Sequence, residues 1–415
     1  MTSRAFNRAG TRVVTAIALV ACLLALGAAR AEDGVTDQVI RTGGVMDLEG
    51  LSRGLGLGMR SGIEAAFRNE RPHGRRIDFI TRNDSYTPKK TIEATEALIN
   101  QGVFAMIGNV GTPTARVSLP ILAREKVPAV GFFTGAGILR PGEGDIINFR
   151  ASYVQETAAV IRSAIDAGVS PGEICAFVQN DSYGMAGVVG IKLALGNLPG
   201  TEALTSALDA VLAQEGEDPP RNNLGPVGVY QRNTMTSREG YRSLKTWENR
   251  TNTRCRVVVT VGTYGAIANF AAYARYKREN WIVSAVSFTG ADDFHAALTE
   301  ARISDKVIMT QVVPLLDSDI PIVREARQKL GDQFGWVSLE GFIVGKLFLF
   351  GLNRVQGEVT RAKFLDAIRG RIFDLGGLKM DFSTDNQGSD LVVLTHLTET
   401  GFDPMPPSAW RAMLR

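Results

Sequence analysis

Reactive side chains are scarce in this 415-residue chain, which has three histidines and three cysteines. His73 lies in a basic loop, His295 on a predicted helix and His396 on a predicted strand near the C-terminus. None has a second His or Cys at ligand spacing, so the sequence offers no set of metal ligands. A general base working near neutrality is equally hard to nominate. No Walker sequence occurs. Gly54, Gly56 and Gly58 imitate a dinucleotide fingerprint, but Ser61 holds the place of its last glycine, and Asp78 begins rather than ends the following strand. Gly168-Val169-Ser170-Pro171-Gly172 has the letters of a nucleophile elbow. A helix precedes it and a strand follows, the reverse of what that motif requires. The chain lacks a catalytic set, and no cofactor is expected.

Net charge and long apolar runs are also missing once the N-terminus is set aside. Arg4, Arg8 and Arg12 precede the apolar run Val13 to Ala29, and Ala29-Arg30-Ala31 fits a small-x-small cleavage site. Residues 1–31 therefore read as a signal peptide, with the mature chain starting near Glu32. Leu19-Val20-Ala21-Cys22 also resembles a lipoprotein signal, although Leu23 to Leu26 stay apolar where a lipidated terminus is usually polar. Residues 1–31 hold four arginines and no acid, so 46 basic residues fall to 42 against 43 acidic ones, a net charge of −1. Nothing global attracts nucleic acid or anionic lipid. Gly341 to Leu352 is too short to span a bilayer and carries Lys346. The expectation is an exported, soluble, periplasmic protein. Cys175 and Cys255, each at the start of a predicted strand, can pair after export or stay as two buried thiols.

The rest of the chain alternates strand and helix. Predicted strands are Val39–Val45, Ile77–Ile80, Val103–Ile107, Ala129–Phe133, Ile174–Gln179, Val227–Gln231, Arg256–Val261 and Ile282–Ser287. Helical patterns lie between them, at Met59–Asn69, Pro88–Gln101, Pro113–Glu125, Gly187–Leu195, Tyr241–Asn249 and Ile267–Arg278. Repeated βα units with uniformly apolar strands indicate parallel sheets covered on both faces. Because the pattern restarts, the fold expected is α/β with two doubly wound Rossmann-like lobes. The join falls near Phe149-Arg150-Ala151. Helices at Leu339–Asn353 and Arg361–Ile368 and a strand at Leu391–Leu397 make the second half overlong, so the chain crosses between lobes more than once. We assign 32–150 to lobe 1, 151–313 to lobe 2, 314–390 to lobe 1 and 391–415 to lobe 2, with a ligand cleft between them. Leu198 to Leu224 reads as an irregular insertion.

One loop asks for a ligand. Gly108-Asn109-Val110-Gly111 follows the carboxyl end of a buried strand, where doubly wound sheets bind ligands, and glycines let a ligand approach the backbone. In Gly111-Thr112-Pro113-Thr114, Thr112 is placed as an N-cap and Pro113 as the first helical residue. Thr87-Pro88 repeats that syntax, so capping alone accounts for the Thr-Pro pair. Free N–H groups plus two hydroxyls suit a carboxylate.

The chain resembles the periplasmic solute-binding proteins of ABC importers, in the leucine/isoleucine/valine-binding group. The resemblance runs from about Val39 to the C-terminus. It rests on the order and spacing of Arg82-Asn83-Asp84-Ser85-Tyr86-Thr87-Pro88, Gly108 to Ala115, Phe132-Phe133-Thr134-Gly135-Ala136 and Asn180-Asp181-Ser182-Tyr183-Gly184. It continues in Tyr230 to Thr234, Val261-Gly262-Thr263-Tyr264-Gly265 and Ser338-Leu339-Glu340-Gly341-Phe342. It implies two lobes joined by three crossovers and a carboxylate held by Val110, Gly111 and Thr112, with a second loop, Phe133, Thr134 and Gly135. Tyr183 and Tyr264 would close over the ligand from the other lobe. Leucine-binding members pair the ammonium with a glutamate in the loop matching Ser287-Phe288-Thr289-Gly290, where this chain has Thr289. Asp292 and Asp293 follow closely, and Leu55 stands where an aromatic is expected. Burying an ammonium without a carboxylate costs several kcal/mol, so a carboxylate lacking an amine becomes a serious candidate.

The function expected is capture without chemistry: a small carboxylate-bearing solute held between lobes by a monomer and handed to an ABC permease. A periplasmic sensor reporting to a membrane receptor is the alternative. A secreted enzyme would have only Ser170 and the histidines to work with.

Overall fold

The computed structural model describes residues 32–415 apart from Glu217; the signal segment, its cleavage site and Cys22 lie outside the described residues. Strands β1 (Val39–Met46), β2 (Arg76–Asn83), β3 (Ala105–Ile107), β4 (Ala129–Val130) and β5 (Ile146–Ile147) form a parallel sheet in the order β2-β1-β3-β4-β5. Strands β6 (Ile174–Gln179), β7 (Val227–Tyr230), β8 (Val257–Val261), β9 (Ile282–Ala285) and β10 (Val307–Gln311) start a second parallel sheet. A small hairpin, β11 (Ile372–Asp374) with β12 (Lys379–Asp381), stands apart. Strands β13 (Val393–Leu397) and β14 (Phe402–Pro404) then extend the second sheet antiparallel, giving the order β14-β13-β10-β9-β8-β6-β7. The result is an α/β molecule of two sheets, each layered with helices. Strands β6 to β10 are apolar and buried along their whole length because helices cover both faces.

The chain leaves the first sheet after β5, builds the second through β10, and returns. Helix Trp336–Arg354 then packs along helix Arg53–Phe67. Glycines make that approach possible: a Cβ on Gly62 would run into the Ser338 carbonyl, and one on Gly341 into that of Met59. The late helix is longer than its sequence pattern implied, and its length and apolarity would suit a membrane span. Its residues are mostly buried inside the protein, which accounts for the hydropathy.

Two expectations need correction. Residues 198–224 are not wholly irregular, because Glu202–Leu212 is a helix burying Leu204, Leu208 and Val211. The strand expected at Ala129–Phe133 ends at Val130, after which Phe133 makes only an isolated bridge to Val110. The open cysteine question resolves as a disulfide joining Cys175 of β6 to Cys255, two residues before β8, with Cα atoms 5.6 Å apart. Its separation of 80 residues makes its restriction of the unfolded chain worth about 4 kcal/mol.

Candidate functional site

The carboxyl ends of both sheets meet across a cleft, and the side chains there are packed shut. On the first lobe, Gly108 and Gly111 adopt φ of 65° and 109°, turning the chain from β3 into helix Thr112–Arg124. Gly111, not Thr112, is the N-cap, and the helix start has no side-chain cap. This corrects the sequence expectation and frees the Thr112 hydroxyl, which bonds Thr134 Oγ1 at 2.6 Å. Thr134 Oγ1 in turn meets the Tyr153 hydroxyl at 3.2 Å. The three hydroxyls form a buried row, and burial pushes Tyr153 up to about 12.

Part of the set of free backbone N–H groups expected in this loop is taken. Val110 N–H donates to Val45 O (3.1 Å) and Gly111 N–H to Phe133 O (3.2 Å), while Phe133 N–H donates to Asn109 O (2.7 Å). Thr114 spends its hydroxyl on the Val110 and Gly111 carbonyls. What this side offers a ligand is the hydroxyl row together with the first-turn N–H groups of Thr112 and Thr114. Gly135 supports the row: its carbonyl accepts the Tyr153 N–H at 2.8 Å.

From the second lobe, Asp181 caps helix Ser182–Gly196 by accepting the Tyr183 N–H at 3.0 Å, which fixes the tyrosine at the cleft. Tyr183 is fully buried; its hydroxyl donates to Gly262 O (3.3 Å), which also accepts from the Thr289 hydroxyl (2.9 Å). Between the lobes sits Phe288, with its ring centroid 4.7 Å from Tyr183, 5.2 Å from Phe133 and 6.2 Å from Tyr86. The structure thus gathers Val110, Gly111, Thr112, Phe133, Thr134, Gly135, Tyr183 and Thr289 around one aromatic plug. Tyr264 stands at its edge, half-buried beside Gly54 and Asp293. Close packing of Leu55 against Gly290 joins that edge to the plug, since a Cβ on Gly290 would collide with the leucine.

Arg150, at the chain crossing, is fully buried, with its guanidinium 4.9 Å above the Phe133 ring. It pairs with Glu156 at 3.3 Å and Glu340 at 3.5 Å and donates to Ser287 Oγ. Burial alone would lower its pKa; Glu340 and Glu156 outweigh that and hold it above the usual value. Burial raises Glu340 to about 7, with Arg150 opposing the rise. Glu156 is the better-held partner, since it also accepts the Ser287 N–H (2.7 Å) and the Thr310 hydroxyl (2.5 Å). Arg150, Tyr153, Tyr86 and Phe288 were not singled out as site residues from sequence. An arginine inside the apolar stretch Ile146–Ala151 was the available signal.

Of the acids downstream of Thr289, Asp292 is committed: it accepts the Trp336 N–H at 2.9 Å across the lobes. Asp293 faces Gly54, its pKa raised by burial against the pull of Arg53. Ser170 lies in the turn before β6, its N–H donating to Glu173 (2.9 Å). Among the described residues no cluster of His, Cys, Asp or Glu is placed to hold a metal.

Residues 39–209 match the model of a periplasmic binding protein family. No curated protein matches in sequence. A crystal structure of a possible leucine/isoleucine/valine-binding protein from Rhodopirellula baltica is 31% identical, with a TM-score of 0.78, covering 91% of this chain and 98% of that one. A fatty acid ABC transporter substrate-binding protein from Thermomonospora curvata (15%, TM-score 0.70, 91% and 96%) shares the fold. So does a branched chain amino acid ABC transporter protein from Thermus thermophilus with bound valine (16%, 0.69, 90% and 96%). The chain belongs to the periplasmic binding proteins of the leucine/isoleucine/valine-binding type.

Proposed function

We propose that this solute-binding protein captures a small carboxylate between its lobes in the periplasm and delivers it, as a monomer, to an ABC permease. In this reading residues 32–150 and 314–390 form one lobe, and 151–313 and 391–415 the other. The observation that carries it is the buried hydroxyl row Thr112–Thr134–Tyr153 at the end of the cleft. Hydroxyl donors in a buried cleft suit an oxygen acceptor such as a carboxylate, while the charge of Arg150 beside them is already met by Glu156 and Glu340. Tyr183 and Phe288 supply the flat, apolar wall that receives the rest of the solute.

Site residues at essentially zero exposure admit a solute only when the lobes part. Ligand bridging both lobes then favours closure, because only the closed state makes both sets of contacts. With Thr289 bonded to Gly262 O and Asp292 to the Trp336 N–H, Asp293 is the carboxylate left near this edge to receive an α-ammonium. Asp293 faces Gly54 at the edge of the cleft, beside Tyr264 and away from the hydroxyl row, so the solute class we favour is an acid lacking that amine. A thermal-shift screen of aliphatic and aromatic carboxylates, their amides and amino acids tests this. Carboxylates should raise the melting temperature and amides should not; strong stabilisation by leucine-like amino acids would overturn the amine-free reading.

A further inference from the structure

Outside the aromatic plug, a groove of about 760 Å³ runs between the lobes. Pro113 and Ser182 line it, and they are the chain neighbours of Thr112 and Tyr183. Val117, Met185 and Leu212 give it an apolar stretch. Its charge is one-sided: among the described residues Lys89, Arg116, Arg221 and Arg232 line it against only Asp181 and Glu215.

The four cations have different tasks. Arg232 is taken by Asp181 at 2.9 Å. Arg221 is buried and locks the insertion, donating to Asn180 Oδ1 (2.9 Å) and to the Val211 carbonyl (3.2 Å). Asn180 completes the lock by donating to Asp218 (2.7 Å) and Pro219 O (3.0 Å). The insertion is thereby held as a fixed wall beside the strand end that carries Tyr183. Lys89 and Arg116, both exposed, face it from the other lobe. Closure therefore assembles an apolar slot with a cationic rim, one residue along the chain from Thr112 on one wall and from Tyr183 on the other.

We propose that this groove is a second, anion-selecting subsite. It would take the far carboxylate of an elongated dicarboxylate whose near carboxylate sits at Thr112, and it rests on the carboxylate reading above. Isothermal titration calorimetry with the whole protein would compare straight-chain α,ω-dicarboxylates with monocarboxylates of the same lengths. The best-fitting dicarboxylate should bind about tenfold tighter than its monocarboxylate, the gain two partly exposed charge pairs allow. That ratio should shrink as salt is raised and fall to near one in the Lys89→Gln/Arg116→Gln double variant. Dicarboxylates binding no tighter at any length, or a ratio that survives the double substitution, would overturn the subsite while leaving monocarboxylate capture standing. Binding of neither series would overturn both.

Discussion

Two Thr-Pro junctions start two helices of the first lobe, and the structure uses them in opposite ways. At Thr87-Pro88 the threonine is the N-cap of helix Pro88–Asn100, and its hydroxyl donates to Ser85 O at 3.1 Å. The polar work there falls to Asp84, which accepts the Tyr86 N–H (2.9 Å) and the Thr91 hydroxyl (2.8 Å). At Thr112-Pro113 a left-handed glycine takes the cap position, and the threonine hydroxyl turns across the loop to Thr134. The junctions also touch. Tyr86, with φ of 53°, puts its ring where a side chain on Gly111 would lie. One junction is a closed local circuit; the other keeps a hydroxyl for the cleft because its neighbour fills the space beside it.

The hardest break of this contrast is Gly111→Ala. Positive φ and collision with Tyr86 act together, so unfolding stability should fall by about 3–5 kcal/mol in urea titrations. Thr112 should leave its partner, and carboxylate binding should go with it. Loss of less than about 1 kcal/mol would show that Tyr86 swings aside and that the glycine does not dictate the loop.

The pattern of apolar runs made the two-sheet fold legible, because buried parallel strands must be apolar throughout. The glycine-threonine loops were legible as a site for the same reason: they sit at strand ends. The role of Thr112 was not legible. Whether a threonine caps or crosses a loop depends on the φ of the residue before it, and Gly111 admits either sign. The loss of the Val110 and Gly111 N–H groups was not legible, because the bridge between Val110 and Phe133 joins residues 23 apart in sequence, with no local signal. Phe288 and Tyr86 stood in matching loops without a role, since only the meeting of lobes brings their rings together. Helix Glu202–Leu212 was masked by the proline-rich turn that follows it.

The Thr87 junction differs in its response to pH. Burial raises Asp84 to about 6, against an ordinary value of 3.8, with the bonds from Thr91 and Tyr86 opposing the rise. A carboxyl that holds its proton more tightly when folded makes stability fall as pH rises from about 4 to 6, and the loss levels off above that. Asp84→Asn removes the titration. Its stability relative to the unsubstituted protein should improve by about 2–3 kcal/mol between pH 4 and pH 7, measured by denaturant titration at each pH. A difference independent of pH would mean that Asp84 is ionised across the range and that both junctions are electrostatically alike.

The finest test pairs Thr112→Val with Thr87→Val, two substitutions of the same shape and chemistry at positions with the same sequence neighbour. Valine at 112 keeps the volume and removes the hydroxyl that meets Thr134, so carboxylate affinity should weaken by about 1–3 kcal/mol in calorimetry. Valine at 87 removes only the bond to Ser85 O, so affinity should hold and stability should fall by about 0.5–1 kcal/mol. Equal effects on affinity would mean that the two threonines are both mere helix starters and that the anion is held elsewhere, with Arg150 the next group to substitute. Unequal effects in the expected direction would tie binding to one hydroxyl, the one its helix does not use.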